Sequence, residues 1–448
     1  MHFDDTIAAI STPNGAGGIA VIRISGADAV SIADSVFSGS LENVGSHTVT
    51  YGYITDGAEK IDEVLVTVMR APKTFTREDV VEISTHGGIF VTNRVLSAVL
   101  AKGARAAQPG EFTKRAFLNG RIDLSRAEAV IDIINSENAL SEKNAIEQLG
   151  GRLSKKIEDM RSRLVNLSAH MQVAIDYPDE DLEDITVEDI IDTLGSVLND
   201  AQKLVLSADD GRIIKGGIKT VIAGKPNVGK STILNMLSGF DRAIVTDIAG
   251  TTRDIIEENV SLSGIPIKLV DTAGVHDTDD FIEKIGVEKS EKSIDGADLV
   301  LLVTDASSPM DDDDIEILKK CENKKKIIIA NKTDKGICEE AANTADIFIC
   351  AKDGEGKERI AEKISELYAI GDISQRSGEI ITNERQKAAL VKCVSAVSNA
   401  METLKTGLPQ DMASIDIADA TDALGEITGA SVSEDVVSAV FKNFCVGK

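Results

Sequence analysis

Eight consecutive residues constrain this chain more than any others: Gly224-Lys225-Pro226-Asn227-Val228-Gly229-Lys230-Ser231. They follow a short apolar run, Ile218–Ala223, and precede a helix-like segment, Thr232–Leu237. Glycines at the ends of such a loop let the main chain curl until several N–H groups point at one spot, the geometry that cradles phosphate. Lys230 adds a cation near the β/γ oxygens, and Ser231 offers a hydroxyl to Mg²⁺. A strand, loop and helix in this order imply a doubly wound parallel sheet with its ligand at the strand ends.

Three further motifs follow in the order a guanine-nucleotide site requires. Thr251-Thr252-Arg253-Asp254 lies where a switch loop would bring a second hydroxyl to the metal. The apolar strand Ile267–Val270 ends in Asp271-Thr272-Ala273-Gly274, setting a carboxylate near the metal and a glycine N–H near the γ-phosphate. Ile327–Ala330 leads into Asn331-Lys332-Thr333-Asp334, where Asp334 can accept two hydrogen bonds from guanine that adenine cannot supply. The last base-contacting loop departs from the usual Ser-Ala-Lys and reads Cys350-Ala351-Lys352. A Gln directly after Asp-x-x-Gly orients the attacking water in many such enzymes, but Val275 stands there. Another carboxylate must therefore act, and Glu283 lies just past the switch region, although on helix statistics alone it reads as a surface charge.

Outside this segment the pattern changes twice. Residues 1–118 alternate strand-like runs (Ile19–Ser25, Thr48–Ile54, Val64–Met69, Val80–Ser84) with helical ones (Ala27–Val36, Val91–Lys102). Apolar residues then recur at three- and four-residue spacing over Glu111–Asn135 and Ala139–Val173, with Leu149, Leu153, Ile157, Met160, Leu164 and Leu167 in one stripe. Val187–Leu206 continues as helix, as do Asn383–Leu404, Ser414–Thr428 and Ser433–Phe444 after a polar linker at Gly371–Gly378. The expected fold is multidomain α/β: an N-terminal α+β domain (1–118), an all-helical domain in two pieces (119–214 and 375–448), and a P-loop GTPase domain (215–374) inserted between them.

Composition bounds the location and partners. No apolar run approaches the roughly eighteen residues needed to cross a bilayer, and Met-His-Phe-Asp-Asp lacks the features of a signal peptide, so a cytoplasmic protein without a membrane partner is expected. Five unevenly spaced cysteines suit free thiols. A net charge of −26, with no Lys/Arg-rich block, repels polyanions, so a nucleic-acid substrate would need a partner or a local pocket to supply attraction. The acidic run Asp311–Asp314 precedes Ile315–Cys321 and favours the start of that helix.

Gly-x-Pro-Asn-x-Gly-Lys-Ser, Gly-Thr-Thr-Arg-Asp, the missing Gln and Glu283-Lys284-Ile285-Gly286 together resemble the MnmE (TrmE) family of tRNA modification GTPases. The resemblance runs the length of the chain. It includes Gly17–Gly26, His86-Gly87-Gly88, Pro109–Leu124 and the closing Phe444-Cys445-Val446-Gly447-Lys448. It implies GTP contacts from Gly224, Asn227, Val228, Gly229, Lys230, Ser231 and Thr232, then Thr246, Asp247, Ile248, Ala249, Gly250, Thr251 and Thr252. Asp271, Thr272, Ala273, Gly274, Asn331, Lys332, Asp334, Cys350, Ala351 and Lys352 complete that set. It further implies that Glu283 orients the water and Lys230 assists, that Ser231 and Thr252 hold Mg²⁺, and that Asn227, Thr246, Ile248 and Thr251 hold K⁺ in place of an arginine finger.

For the N-terminal domain the resemblance implies a homodimer and a 5,10-methylenetetrahydrofolate site, with 5-formyltetrahydrofolate as analogue, at Arg23, Glu82, Arg121 and Lys448. Cations there suit the folate carboxylates and a carboxylate suits the pterin N–H donors. Cys445 reads either as a small buried residue of the last helix or as a thiol delivered to that site. His86 reads as a turn residue. The implied activity, with an FAD-bearing MnmG (GidA)-type partner in a heterotetramer, is addition of an aminomethyl or carboxymethylaminomethyl group to carbon five of the tRNA wobble uridine. The alternative is a K⁺-stimulated GTPase switch in ribosome assembly, which would have no use for the N-terminal segment or the Phe-Cys-x-Gly-Lys ending. Glu283→Ala is expected to abolish GTP turnover and leave GTP affinity intact; single-turnover hydrolysis beside equilibrium binding checks both.

Overall fold

Strands and helices both occur in the computed structural model, which describes residues 5–13, 15–176, 186–238, 257–270 and 294–448. Contacts divide the chain into two units: Met1–Ile131, Ser154–Ile185 and Thr403–Lys448 form one, Asp132–Leu153 and Thr186–Glu402 the other. A six-stranded sheet organises each of them.

In the first unit the strands are β1 (Ile7–Ile10), β2 (Ile19–Ser25), β3 (Thr48–Asp56), β4 (Glu59–Met69), β5 (Val80–His86) and β6 (Arg105–Ala106). Their order is β3-β4-β5-β2-β1-β6, antiparallel except for the β1/β6 pair. Two-residue alternation sends Ile22, Ile24, Val64, Val66, Val68, Val81 and Ile83 to one face. There they bury against helices α1 (Ala29–Asp34) and α2 (Ile89–Ala101). The opposite face carries Arg23 of β2 directly across from Glu82 of β5. Strands β1 and β6 escape the sequence reading because four and two residues are too few for alternation to register.

The two helical stretches expected over Glu111–Asn135 and Ala139–Val173 are each broken by a glycine. Helix α3 (Glu111–Leu118) is separated from α4 (Leu124–Ile134) by Gly120, and α5 (Ala139–Leu149) from α6 (Arg152–Asp176) by Gly151. Both glycines take a positive φ, 69° and 89°, that a side chain would strain. The apolar stripe is buried on α6 through Leu153, Ile157, Met160, Leu164 and Leu167, while Leu149 is only half-buried on α5.

The second unit begins its sheet after α7 (Val187–Gly216). Its strands are β7 (Ile218–Ala223), β8 (Glu257–Leu262), β9 (Ile265–Val270), β10 (Leu299–Asp305), β11 (Lys325–Asn331) and β12 (Ile347–Phe348). The order is β12-β11-β10-β7-β9-β8, parallel throughout except for the β8/β9 hairpin. Helices α8 (Lys230–Ser238), α9 (Asp312–Lys320) and α10 (Glu339–Thr344) lie between its strands, and α11 (Lys357–Leu367) follows β12. Covered on both faces, β10 is apolar for its first five residues and buried over them. At α9 the acidic run acts as expected: Asp311 and Asp314 cap the helix reciprocally.

Gly371–Gly378 is not the polar linker that its composition suggests. It overlaps α12 (Ile370–Gln375), whose Ile370 and Ile373, three residues apart, bury one face in the sheet core beside Ile380. The chain then presses against α7. A Cβ on Gly211 would lie 1.8 Å from the Ile381 carbonyl oxygen, so only glycine permits this approach. Ser207 of α7 accepts a hydrogen bond from the Ile381 N–H at 3.1 Å. Helices α13 (Glu384–Lys405), α14 (Gln410–Thr428) and α15 (Glu434–Lys442) complete the chain.

One charged cluster anchors the start of the first unit. Arg115 of α3 is fully buried; it reaches Asp5 at 2.7 Å, Glu78 at 3.1 Å and Glu111 at 3.2 Å. Arg105 joins through Asp5 and Glu111. Burial alone would raise the Glu111 carboxyl, but hydrogen bonds from Arg105, the Gln108 N–H and Arg115 outweigh it and hold it below the usual range. Arg115→Ala strands these carboxylates and is expected to cost about 3–5 kcal/mol, read by chemical denaturation. Glu111's contribution is complete above the unfolded carboxylate pKa of about 4.3 and is lost as pH falls through its lower folded value. The stability advantage of the protein over a Glu111→Gln variant, measured down from pH 6, should therefore shrink as pH falls through and below about 4.3.

Candidate functional site: a nucleotide loop and an N-terminal cation–carboxylate pair

Close backbone packing shapes the loop after β7. At Gly224 φ is 145°, and a Cβ would stand 2.3 Å from the Val303 carbonyl of β10. At Gly229 φ is 103°, and a Cβ would stand 2.2 Å from Nδ2 of Asn331. Asn227 between them is left-handed and exposed. The loop thus folds over Lys230, whose Nζ donates to the carbonyls of Gly224 (2.7 Å) and Lys225 (2.8 Å). Burial pushes the Lys230 ammonium below its ordinary pKa, so an arriving phosphate would meet a poorly solvated cation. Ser231 and Thr232 are exposed at the first turn of α8, where helix N–H groups favour anions.

Lys225 is paired with two carboxylates. Its Nζ lies 2.6 Å from Asp311 and 2.9 Å from Asp314, and those two carboxylates raise its pKa well above the usual lysine value. The phosphate loop is thereby tied to the N-terminus of α9.

Asn331 joins the two halves of the nucleotide site. Its buried amide donates to the Val228 carbonyl of the phosphate loop at 2.8 Å and accepts from the Ala351 N–H of the last base loop at 3.1 Å. Lys332 pairs with Asp305, at the end of β10, at 2.9 Å. Burial pushes the Asp305 carboxyl up, but hydrogen bonds from Ser307 and Lys332 prevail and bring it to about 2. Asp334 and Lys352 are exposed. The buried Cys350 thiol lies 3.0 Å from Asp353 and 3.6 Å from Asp334; hydrogen bonding to Asp353 raises its pKa.

Phosphate-loop and base-loop residues therefore converge at the C-terminal ends of β7, β10 and β11. Asp305 went unread in the sequence, although an acidic residue closing an apolar strand at the ligand edge was a usable signal. Thr246, Asp247, Ile248, Ala249, Gly250, Thr251, Thr252, Asp271, Thr272, Ala273, Gly274 and Glu283 lie outside the described residues.

A second cluster forms in the first unit. Arg23 donates to Glu82 at 2.8 Å and 2.7 Å, stacks 5.6 Å above the Phe112 ring, and reaches the Gly447 carbonyl at 3.5 Å. Ser11 holds the same carbonyl at 3.0 Å. Gly447 takes φ 92°, and a Cβ there would lie 2.2 Å from the Ile10 carbonyl, so the tail crosses β1 where no side chain fits. Lys448 follows, half-buried. Arg121 stacks 5.3 Å over Phe75 and donates to the Thr74 carbonyl. Phe75 packs on the cluster of Ile7, Ala9 and Phe112, so Arg121 adjoins the group only through that apolar wall.

Of the two readings of Cys445, the buried, helical one does not hold. The residue lies beyond α15 and is exposed, with its carbonyl accepting from the Gly110 N–H at 3.2 Å. The physical reason is that Phe441 and Phe444 take the buried positions. His86 ends β5 and meets Asp62 at 2.7 Å. All five cysteines are free thiols. Among the described residues no helix is long and apolar enough to cross a membrane.

A phosphate loop between β7 and α8, with Asn331, Asp334 and the Cys350–Lys352 loop at neighbouring strand ends, defines a P-loop GTPase. The family described as GTP-binding protein TrmE N-terminus matches residues 6–121, and the MnmE helical domain matches residues 124–445. The tRNA modification GTPase MnmE of Acetivibrio thermocellus is 49% identical over 460 residues, covering 100% of both chains. Those of Clostridioides difficile (46%, 100% of both) and Thermoanaerobacter pseudethanolicus (48%, 99% of both) are similar. This chain belongs to the MnmE family. Among solved structures, the G domain of the T. maritima FeoB iron transporter shares 32% identity over 34% of this chain and 98% of that one, with a TM-score of 0.25.

Asn331→Ala should weaken GDP binding by about tenfold or more, because it releases the phosphate loop and the base loop together. Titration of a fluorescent GDP analogue measures it.

Proposed function

We propose that this GTPase acts in tRNA modification, adding an aminomethyl or carboxymethylaminomethyl group to carbon five of the wobble uridine together with an FAD-bearing MnmG-type partner. The observation that carries the reading is the docking of the Gly447–Lys448 tail onto Ser11 and Arg23 beside Glu82. A simple nucleotide switch has no use for such a tail, whereas a site for a folate one-carbon donor does.

The residues present fit that donor. Arg23 and Arg121 each lie over a phenylalanine, which holds the two guanidinium groups in place, and fixed cations suit the acidic tail of a folate. Glu82 would accept from pterin N–H groups, while Arg23, Arg121 and Lys448 would hold carboxylates. When bound, 5,10-methylenetetrahydrofolate supplies the carbon, and the exposed Cys445 thiol stands three residues before Lys448 as a candidate participant.

At the other site the chain binds GTP and hydrolyses it. Lys230, poorly solvated, exchanges its carbonyl partners for β/γ-phosphate oxygens. Asp334 reads guanine, and Asn331 keeps the base and phosphate loops in register. Ser231 and Thr252 would hold Mg²⁺; Asn227, Thr246, Ile248 and Thr251 would hold K⁺, which offsets charge on the transferred phosphoryl group. Glu283 orients the water. Hydrolysis drives conformational change and does not itself build the product. A cytoplasmic homodimer that joins its partner in a heterotetramer fits the acidic chain, since the partner would then present most of the cationic face toward tRNA.

Mass spectrometry of tRNA nucleosides from cells with and without the protein tests the proposal. Loss of the wobble-uridine group in its absence is the expected result. Unchanged nucleosides with unassembled ribosomal particles would overturn it in favour of the ribosome-assembly switch. Purified protein should also bind 5-formyltetrahydrofolate, and Arg23→Ala should weaken that binding by about tenfold or more.

A further inference from the structure

The two halves of the phosphate loop are held by different means. Its rear half is clamped through Val228, which is buried and whose carbonyl accepts from Asn331. Pro226 and Asn227 are exposed, so the front half depends on Gly224, packed against the Val303 carbonyl, and on the side chain of Lys225. The Gly-x-x-x-x-Gly-Lys-Ser spacing asks for no particular residue at position 225. Yet the lysine there meets two carboxylates of unequal character. Asp311 is 54% exposed, and an ion pair with it is worth little in water. Asp314 is 1% exposed; one of its oxygens takes Lys225 at 2.9 Å, and the other has no hydrogen-bond partner among the described residues. The first turn of α9 and the Lys225 ammonium are what offset this buried charge, so the pair resists opening.

Through its main chain the same residue touches the phosphate-binding cation. The Lys225 carbonyl accepts from Lys230 Nζ at 2.8 Å, beside that of Gly224 at 2.7 Å. A phosphate that draws Lys230 to itself leaves both carbonyls without this donor, and a front half kept in shape by Lys230 alone would relax at that moment. A tether from outside the loop keeps the curve of the cradle whether or not Lys230 has left. We propose that Lys225 is a positioning residue for the β-phosphate, acting through the loop main chain and Lys230, with the buried Asp314 of α9 as its anchor. The inference rests on the assignment of this loop to GTP.

The test compares GDP with GMP, which lacks the β-phosphate, as competitors of a fluorescent GDP analogue on the full-length protein, with thermal stability followed in parallel. Lys225→Met should lower the GDP/GMP affinity ratio by about threefold to tenfold, the scale of one hydrogen bond. Lys225→Arg should preserve it, since a guanidinium can bridge two carboxylates. Asp314→Asn should lower it as Lys225→Met does. The double variant, which leaves no buried charge unpaired, should fall no further than either single one. Asp311→Asn keeps a capping side chain and should leave the ratio within about twofold. An unchanged ratio in Lys225→Met, or equal losses for GDP and GMP with a falling melting temperature, would overturn the inference. A loss in Asp311→Asn as large as that in Asp314→Asn would overturn Asp314 as the anchor. If the unaltered protein binds neither nucleotide, the assignment of the loop to GTP fails as well, whereas every other outcome leaves that assignment standing.

Discussion

The amide of Asn331 is the contact on which the nucleotide site depends. Two loops far apart in sequence, one for phosphate and one for the base, are held by its two ends. An amide suits this place because it donates and accepts at fixed separation, whereas a carboxylate would leave the Val228 carbonyl without a donor. Burial strengthens both bonds and makes their loss expensive. Gly229 must lack a side chain because the same amide group occupies the space. Phosphate-loop shape is therefore partly a packing requirement of the protein, present before any nucleotide binds.

Closely packed main chain recurs at the other functional place. Gly447 crosses β1 so tightly that the Ile10 carbonyl fills the space of a Cβ. Once the tail is there, its carbonyl accepts from Ser11 and Arg23, and the Arg23–Glu82 pair gains a neighbour that no strand of the sheet supplies. Beneath it the buried Arg115 gathers Asp5, Glu78 and Glu111, tying the chain before β1 to α3. Phe112, one residue after Glu111, forms the floor under Arg23. The ionic cluster of Glu111 and Arg115 and the Phe112 ring under Arg23 all come from a single short helix, α3.

Much of this was legible in the residues. The phosphate loop was readable because glycine, lysine and serine at set spacing have a chemical reason to be there. Asp311 was readable as a helix start because a capping carboxylate has one too. Gly371–Gly378 misled because polar residues outnumber apolar ones, yet Ile370 and Ile373 sufficed to hold a turn of helix in the core. Glycines 120 and 151 ended helices that an apolar period alone would have continued. The buried reading of Cys445 failed because two phenylalanines beside it claimed the core.

By itself, the sequence determined the chemical inventory: a phosphate cradle, a guanine-reading carboxylate, and the apolar periods that assign strands and helices. Those follow from local geometry and from spacing, which the chain carries wherever it folds. The tertiary structure alone decided which distant groups meet. That Asn331 spans two loops, that Asp305 holds Lys332, that Gly447 lies on Arg23, and that one thiol faces Asp334 and Asp353 all depend on strand order and close packing. No period or motif encodes such meetings, because each is set by the sum of contacts across the fold rather than by neighbours in sequence.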